Sequence, residues 1–185
     1  MRFTVKQRGQ HIATFRFVEV RLMEILSAWV PSTPEMEAKL LFGPHIWDTA
    51  QAADALGKRT YELRLPLQHS LAPVAGYVAV LDGFAATTGA AQRIALFYDV
   101  MVAGLNARYR RYIEQTDTLM DAPSVRVLES ILSARQRMVR EADELRTSLP
   151  ALRLENPAWL QQMAAREASI AELIAADGAQ TRQAA

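Results

Sequence analysis

Between Trp29 and Arg64 the chain reads WVPSTPEMEAKLLFGPHIWDTAQAADALGKRTYELR, with the composition of a helix almost throughout. Ser32 and Thr33 offer hydroxyls that cap free N–H groups, and Pro34 suits a first helical position because it has no N–H to lose there. Glu35 and Glu37 then sit where the helix dipole favours negative charge. The helix is expected to run to about Arg64, roughly 30 residues or about 45 Å at 1.5 Å per residue, with Pro66 ending it. Pro44 interrupts its middle, costing a hydrogen bond and pressing on the carbonyl of Leu40. That is worth about 3 kcal/mol unless the helix kinks. Everything that follows reads as further helices to pack against this one.

Residues 1–10 alternate weakly through Phe3 and Val5 and read as an N-terminal arm. From His11 the spacing becomes helical: Ile12, Phe15, Val18, Leu22, Ile25 and Trp29 share a face, and Pro31 stops the run. After a connection over 65–77, a short apolar helix is expected near Val78–Ala86. A long one runs from Ala90 to about Thr116, with Ile94, Phe97, Met101, Leu105 and Tyr112 as its stripe. Asp121-Ala-Pro-Ser starts the next, which reaches about Ser148. Asn156-Pro157 starts a fifth, carrying Trp159, Leu160 and Met163, which would cap the other helices or pair with another chain. Residues 11–175 thus form one all-α domain with short connections between antiparallel neighbours. Residues 176–185, small and polar, are expected to be a disordered tail.

Composition narrows the chemistry. Formal net charge is +1, from 21 basic and 20 acidic residues. That balance gives no electrostatic reason to expect nucleic acid or an anionic membrane as partner. The absence of cysteine removes disulfides and thiolate chemistry. No apolar run has the length of a membrane span, and MRFTVKQRGQH lacks the apolar core of a signal peptide. A cytoplasmic protein is the expectation.

Candidate site residues are polar groups whose neighbours three and four positions away are apolar, since those face inward. Glu19, His45 with Asp48, Asp99, and Arg135 meet that test best, and Glu129 meets it in part. A buried charge needs a partner; Asp99 and Arg135 suggest each other, with Asp48 as a third member. His45 alone among them titrates near neutrality, so it would carry the proton, Arg135 would orient an anionic or carbonyl group, and Asp48 or Asp99 would hold one of the two. Glu19, Trp47, Tyr98 and Met138 are expected to line the surrounding pocket. The bland alternatives are that His45 bonds the carbonyl freed at Leu40, and that the charges form a buried network fixing how the helices pack. A di-metal bundle would require Glu-x-x-His pairs on two helices, and none occurs; only the reversed His45-x-x-Asp48 is present.

The Trp29–Arg64 stretch together with RYRRYIEQTDTLMDAPSVRVLESIL (108–132) resembles a group of bacterial ferritin-like proteins, over about residues 15–150. The resemblance implies a ferritin-like antiparallel four-helix bundle, here with an extra short helix and a C-terminal fifth helix. That superfamily includes iron oxidases, di-iron oxygenases and members that have lost the metal. The leading expectation is a metal-free small-molecule pocket with His/Asp/Arg acid–base chemistry, of a kind used in specialised biosynthesis, on a homodimeric protein. The alternatives are an iron- or manganese-dependent oxidase or oxygenase with degenerate ligands, and a non-catalytic dimeric scaffold.

Overall fold

The computed structural model describes residues 3–175, which are all-helical with no strand among them. In order they form α1 (Val5–Trp29), α2 (Met36–Glu62), α3 (Ala75–Ala85), α4 (Ala90–Ala95), a π-helical segment (Leu96–Val102), α5 (Ala103–Gln115), α6 (Ala122–Ser148), a 3-10 turn (Pro150–Leu152) and α7 (Pro157–Ala168). α4, the π-helical segment and α5 follow one another without a break. No helix among the described residues is long and apolar enough to cross a membrane.

Residues 5–10 of the expected N-terminal arm instead form the first turn and a half of α1. Thr4 caps the helix by accepting from the Gln7 N–H (3.2 Å), and the Gln7 side chain accepts from the Thr4 N–H (2.9 Å). This reciprocal capping box satisfies two donors that a helix end otherwise leaves free. Phe3, just outside it, stacks on Tyr112 at 5.3 Å and lies 4.7 Å from His11. The expected tail, 176–185, lies outside the described residues.

The start of α2 also moves. The helix begins at Met36 after Glu35, with no side-chain cap. Ser32 and Thr33 turn the other way instead: both hydroxyls donate to the Trp29 carbonyl, and both accept from the Arg93 guanidinium, which lies 5.6 Å over the Trp29 ring. α2 continues through Pro44. Leu40, Gly43 and Pro44 are all exposed in the single chain, so the carbonyl that the proline ring displaces is not sealed in the core.

Each long run packs antiparallel to its neighbours. Gly9, near the start of α1, faces Leu63 and Leu65 at the end of α2. Arg59, near the end of α2, reaches Asp121 and Ser124 at the start of α6, whereas His45 reaches Glu141. α6 opposes the α4–α5 run, pairing Asn106 with Arg135 and Asp99 with Arg146. α1 opposes that run too, with Phe15 against Tyr109 and Trp29 against Arg93. Between them lies one continuous core containing Phe15, Leu22, Leu26, Phe42, Leu56, Phe97, Leu105 and Leu128, all buried. Each such side chain contributes on the order of 1.5–3 kcal/mol by leaving water.

Two features close the ends. The connection after α2 turns at Arg64 and Gln68, both at positive φ (65° and 59°). It is clamped by Gln68, which accepts from Arg16 (2.9 Å) and donates to Asp54 (2.9 Å). α7 is capped by Asn156, which accepts from the Trp159 N–H. Its Trp159, Leu160 and Met163 are partly buried against the core.

Candidate functional site

At the centre, where α1, α5 and α6 meet, Glu19 is fully buried. One of its oxygens accepts from the Tyr109 hydroxyl (2.5 Å) and from Arg135 Nη2 (2.6 Å). Arg135 also donates to Asn106 Oδ1 (3.1 Å) and lies 5.3 Å over the Tyr109 ring. Burial acts to lower the Arg135 pKa, but Glu19, with Tyr109 and Tyr77 adding to it, outweighs burial and the net direction is up. Tyr109 is pushed well above an ordinary phenol, by burial first and then by the Glu19 charge. The guanidinium therefore stays charged and the phenol stays protonated at neutral pH. The other Glu19 oxygen is buried without a hydrogen-bond partner among the described residues.

A second chain of contacts runs outward from the π-helical segment. The Tyr98 hydroxyl sits 2.6 Å from His45 Nδ1, and His45 Nε2 sits 2.8 Å from Glu141. Burial raises the Tyr98 pKa well above 10, with Glu141 adding to it. A protonated phenol facing Nδ1 and an acceptor-only carboxylate facing Nε2 select one neutral tautomer: Tyr98 donates to Nδ1 and Nε2–H donates to Glu141. Burial lowers the His45 pKa, and Glu141 opposes that shift in part. His45 is 1% exposed whereas Glu141 is 41% exposed, so the imidazole meets solvent only through the carboxylate. It does not bond the Leu40 carbonyl.

The four central candidates do not share one network. Arg135 pairs with Glu19, not with Asp99 or Asp48. Asp99 takes a two-pronged contact from Arg146 (2.6 and 3.0 Å), and Asp48 accepts from Arg137 (2.6 Å). The reason lies in the π-helical segment. Its wider turn bonds i to i+5, so the i±3 and i±4 neighbours that marked Asp99 as inward-facing are not its true neighbours. Asp99 is half-buried at the edge instead. Trp47 leaves the pocket altogether and is exposed, as is Glu129. Tyr98 and Glu19 are buried as expected of pocket residues, yet each is spent on an internal partner.

What the structure does form is a groove between α2 and α6, of about 420 Å³. α2 contributes Asp48, Thr49, Ala52 and Ala55; α6 contributes Arg126, Ile131, Ala134, Arg135 and Met138. The small residues Ala52, Ala55 and Ala134 keep the helix surfaces from meeting. Asp48 with Arg137 marks one end, and the exposed Arg126 marks the other, with no carboxylate partner among the described residues. Of the expected residues, Asp48, Arg135 and Met138 line this groove. His45 stands one turn from Asp48 and Thr49, behind the wall.

Glu141, Arg137 and Arg146 were missed by inward-facing criteria because each has a charged residue three or four positions away, whereas Asn106, flanked by Val102, Ala103 and Tyr109, meets the criterion on three of its four sides and was overlooked. The buried cluster around Asp121 was also missed. There Ser124 (2.6 Å), Tyr112 (2.6 Å), Thr116 (2.8 Å) and Arg59 (3.1 Å) all donate to one carboxylate. Asp121 was legible only as a helix cap. Burial acts to raise its pKa, but these donors outweigh it and hold the group below the usual value.

Among the described residues no three His, Asp or Glu side chains lie close enough to share a metal ion. Glu19, the most buried carboxylate at the helix junction, already holds the guanidinium of Arg135. The donor set does not fit iron or manganese. Family models, curated proteins and solved structures give no match to this chain. None of the three comparisons identifies a ferritin-like family.

Proposed function

We propose that this chain is a ferritin-like four-helix bundle that binds a small organic molecule, without metal, in the groove between α2 and α6. Support for the bundle is topological. The four long runs go up, down, down and up in chain order, with α2 and the α4–α5 run pointing the same way and joined through α3; one long crossover of this kind marks ferritin-like bundles. Support for binding is the groove itself. About 420 Å³ falls within the range of small-molecule sites, which combine an apolar wall with a few polar groups. Ala52, Ala55, Ile131, Ala134 and Met138 supply the wall. With Asp48 and Arg135 already neutralised, Arg126 leaves the groove one uncompensated positive charge. The ligand is an apolar body carrying one anionic group, and the setting is cytoplasmic.

Thermal-shift measurement over a panel of small aromatic and aliphatic carboxylates tests this reading. At least one should raise the melting temperature of the chelator-treated protein by a few degrees, as binding to the folded state alone requires. Ala55→Phe, which fills the groove, should abolish the shift. No shift across the panel, or an equal shift in the filled variant, would count against the site.

A second reading, acid–base catalysis, is favoured by the Tyr98–His45–Glu141 chain, which joins a buried phenol to a half-exposed carboxylate one turn from the groove. In it Glu141 takes a proton from the ligand as general base and passes it to solvent, His45 orients that carboxylate through Nε2–H, and Tyr98 fixes the imidazole tautomer. His45→Gln should then abolish turnover while leaving ligand binding intact; equal loss of both would favour a purely structural role.

A further inference from the structure

α2 presents two unlike faces. Ala38, Phe42, His45, Thr49, Ala52 and Leu56 face the interior. On the opposite side, successive positions near 100° per residue bring Met36, Leu40, Gly43, Pro44, Trp47 and Gln51 to one surface. Met36, Leu40 and Trp47 are 60%, 68% and 66% exposed. No charge interrupts this strip; the first charged residues on the same face are Asp54 and Lys58, which pair with each other at 2.7 Å. Scattered exposed apolar residues are ordinary, but three large ones aligned on an uncharged helix face form a contiguous patch, which is not.

We propose that this face is the contact between two copies of the chain, packed α2 against α2 in opposite directions about a two-fold axis passing between Gly43 and Pro44. The pattern is self-complementary about that point. Leu40 lies three residues before Gly43, and Trp47 lies three residues after Pro44; Met36 and Gln51 are each placed seven away. An antiparallel two-fold therefore sets each Leu40 on the partner's Trp47 and each Met36 on the partner's Gln51, as a symmetric isologous interface requires. Gly43 has no side chain and nothing within 4 Å of where a Cβ would stand. Its missing Cβ relieves contact with the Pro44 ring, and it also leaves the middle of the strip flat, so two helices can approach closely between the larger side chains.

The area is that of a weakly associating dimer. An aromatic side chain alone covers ~150–250 Å², so the three exposed side chains from both copies remove on the order of 800 Å². With the flat centre and the rim the total approaches the ~1,200 Å² at which specific interfaces begin. The chain's own residues 176–185 are a poor cover for the strip, since alanine is their only apolar residue type.

Sedimentation of the full chain over a range of concentrations tests the contact. The wild type should be a dimer at micromolar concentration. Leu40→Glu and Trp47→Lys should each weaken association at least a hundredfold while leaving helical content and melting of the monomer unchanged, because both positions are exposed. The double variant Leu40→Glu/Trp47→Lys should recover at least tenfold, since the antiparallel two-fold sets each new glutamate beside a partner lysine. A wild type that stays monomeric, or a dimer that survives either single change, would overturn the proposal. Single variants that dissociate without recovery in the double variant would overturn the antiparallel two-fold.

Discussion

Glu19 and Arg135 form an ion pair that neither member can leave cheaply. Breaking one partner of a buried pair strands a charge, at about 3–5 kcal/mol. Glu19→Gln and Arg135→Met should each lower unfolding stability by that order in urea titration. The double variant Glu19→Leu/Arg135→Met should recover most of the loss, because an apolar pair of similar volume carries no desolvation cost. His11 gives the residue scale a pH signature. It is packed among Phe3, Phe15 and Tyr112, and burial depresses its pKa from 6.5 to about 4. Below pH 6.5 the unfolded chain binds a proton that the folded chain refuses. Stability therefore falls as pH drops from about 6.5 and levels off near 4, where the folded form is protonated too. The loss is on the order of 2–3 kcal/mol, and the same downward direction at His45 adds to it. His11→Phe, which keeps the ring packing, should flatten that part of the denaturation profile; an unchanged slope would assign it elsewhere.

At the scale of elements, a buried carboxylate pins α7 beyond its apolar packing. Glu167 accepts from the Tyr77 hydroxyl (3.1 Å) and from Arg108, whose other nitrogen reaches the Ile170 carbonyl (2.7 Å). That carboxylate rests against Gly104, where a Cβ would collide with it. Gly104→Ala should push Glu167 off its partners and cost about 1–3 kcal/mol, as overpacking usually does, with proteolysis between α6 and α7 rising first. The elements themselves were legible to unequal degrees. Prolines at 31, 66, 123, 150 and 157 bracket helices close to where the structure has them, because proline works locally and its effect does not depend on the fold. The Thr4-x-x-Gln7 cap was readable but masked by the weak alternation of Phe3 and Val5. The π-helical segment at 96–102 left no local signal; it depends on how the turn carrying Tyr98 meets His45 and α6, and so does the placement of Asp99.

For the whole molecule, periodicity gave the all-helical outline, and the inward-facing test found Glu19, His45 and Arg135, each buried. It could not pair them. Pairing depends on which helices are neighbours and how they are offset along their axes, and no spacing within one helix carries that. The groove was equally hidden, because it arises from alanines on two helices failing to meet, and alanine reads the same on any face. The claim most exposed to test is that this groove holds a small organic anion. A crystal structure of the chain soaked with the best carboxylate from the thermal-shift panel tests it most directly. The expected result is ligand density between α2 and α6 with its anionic group within hydrogen-bond distance of Arg126. Ligand elsewhere, or a metal ion held by Glu19 with Arg135 displaced, would contradict it.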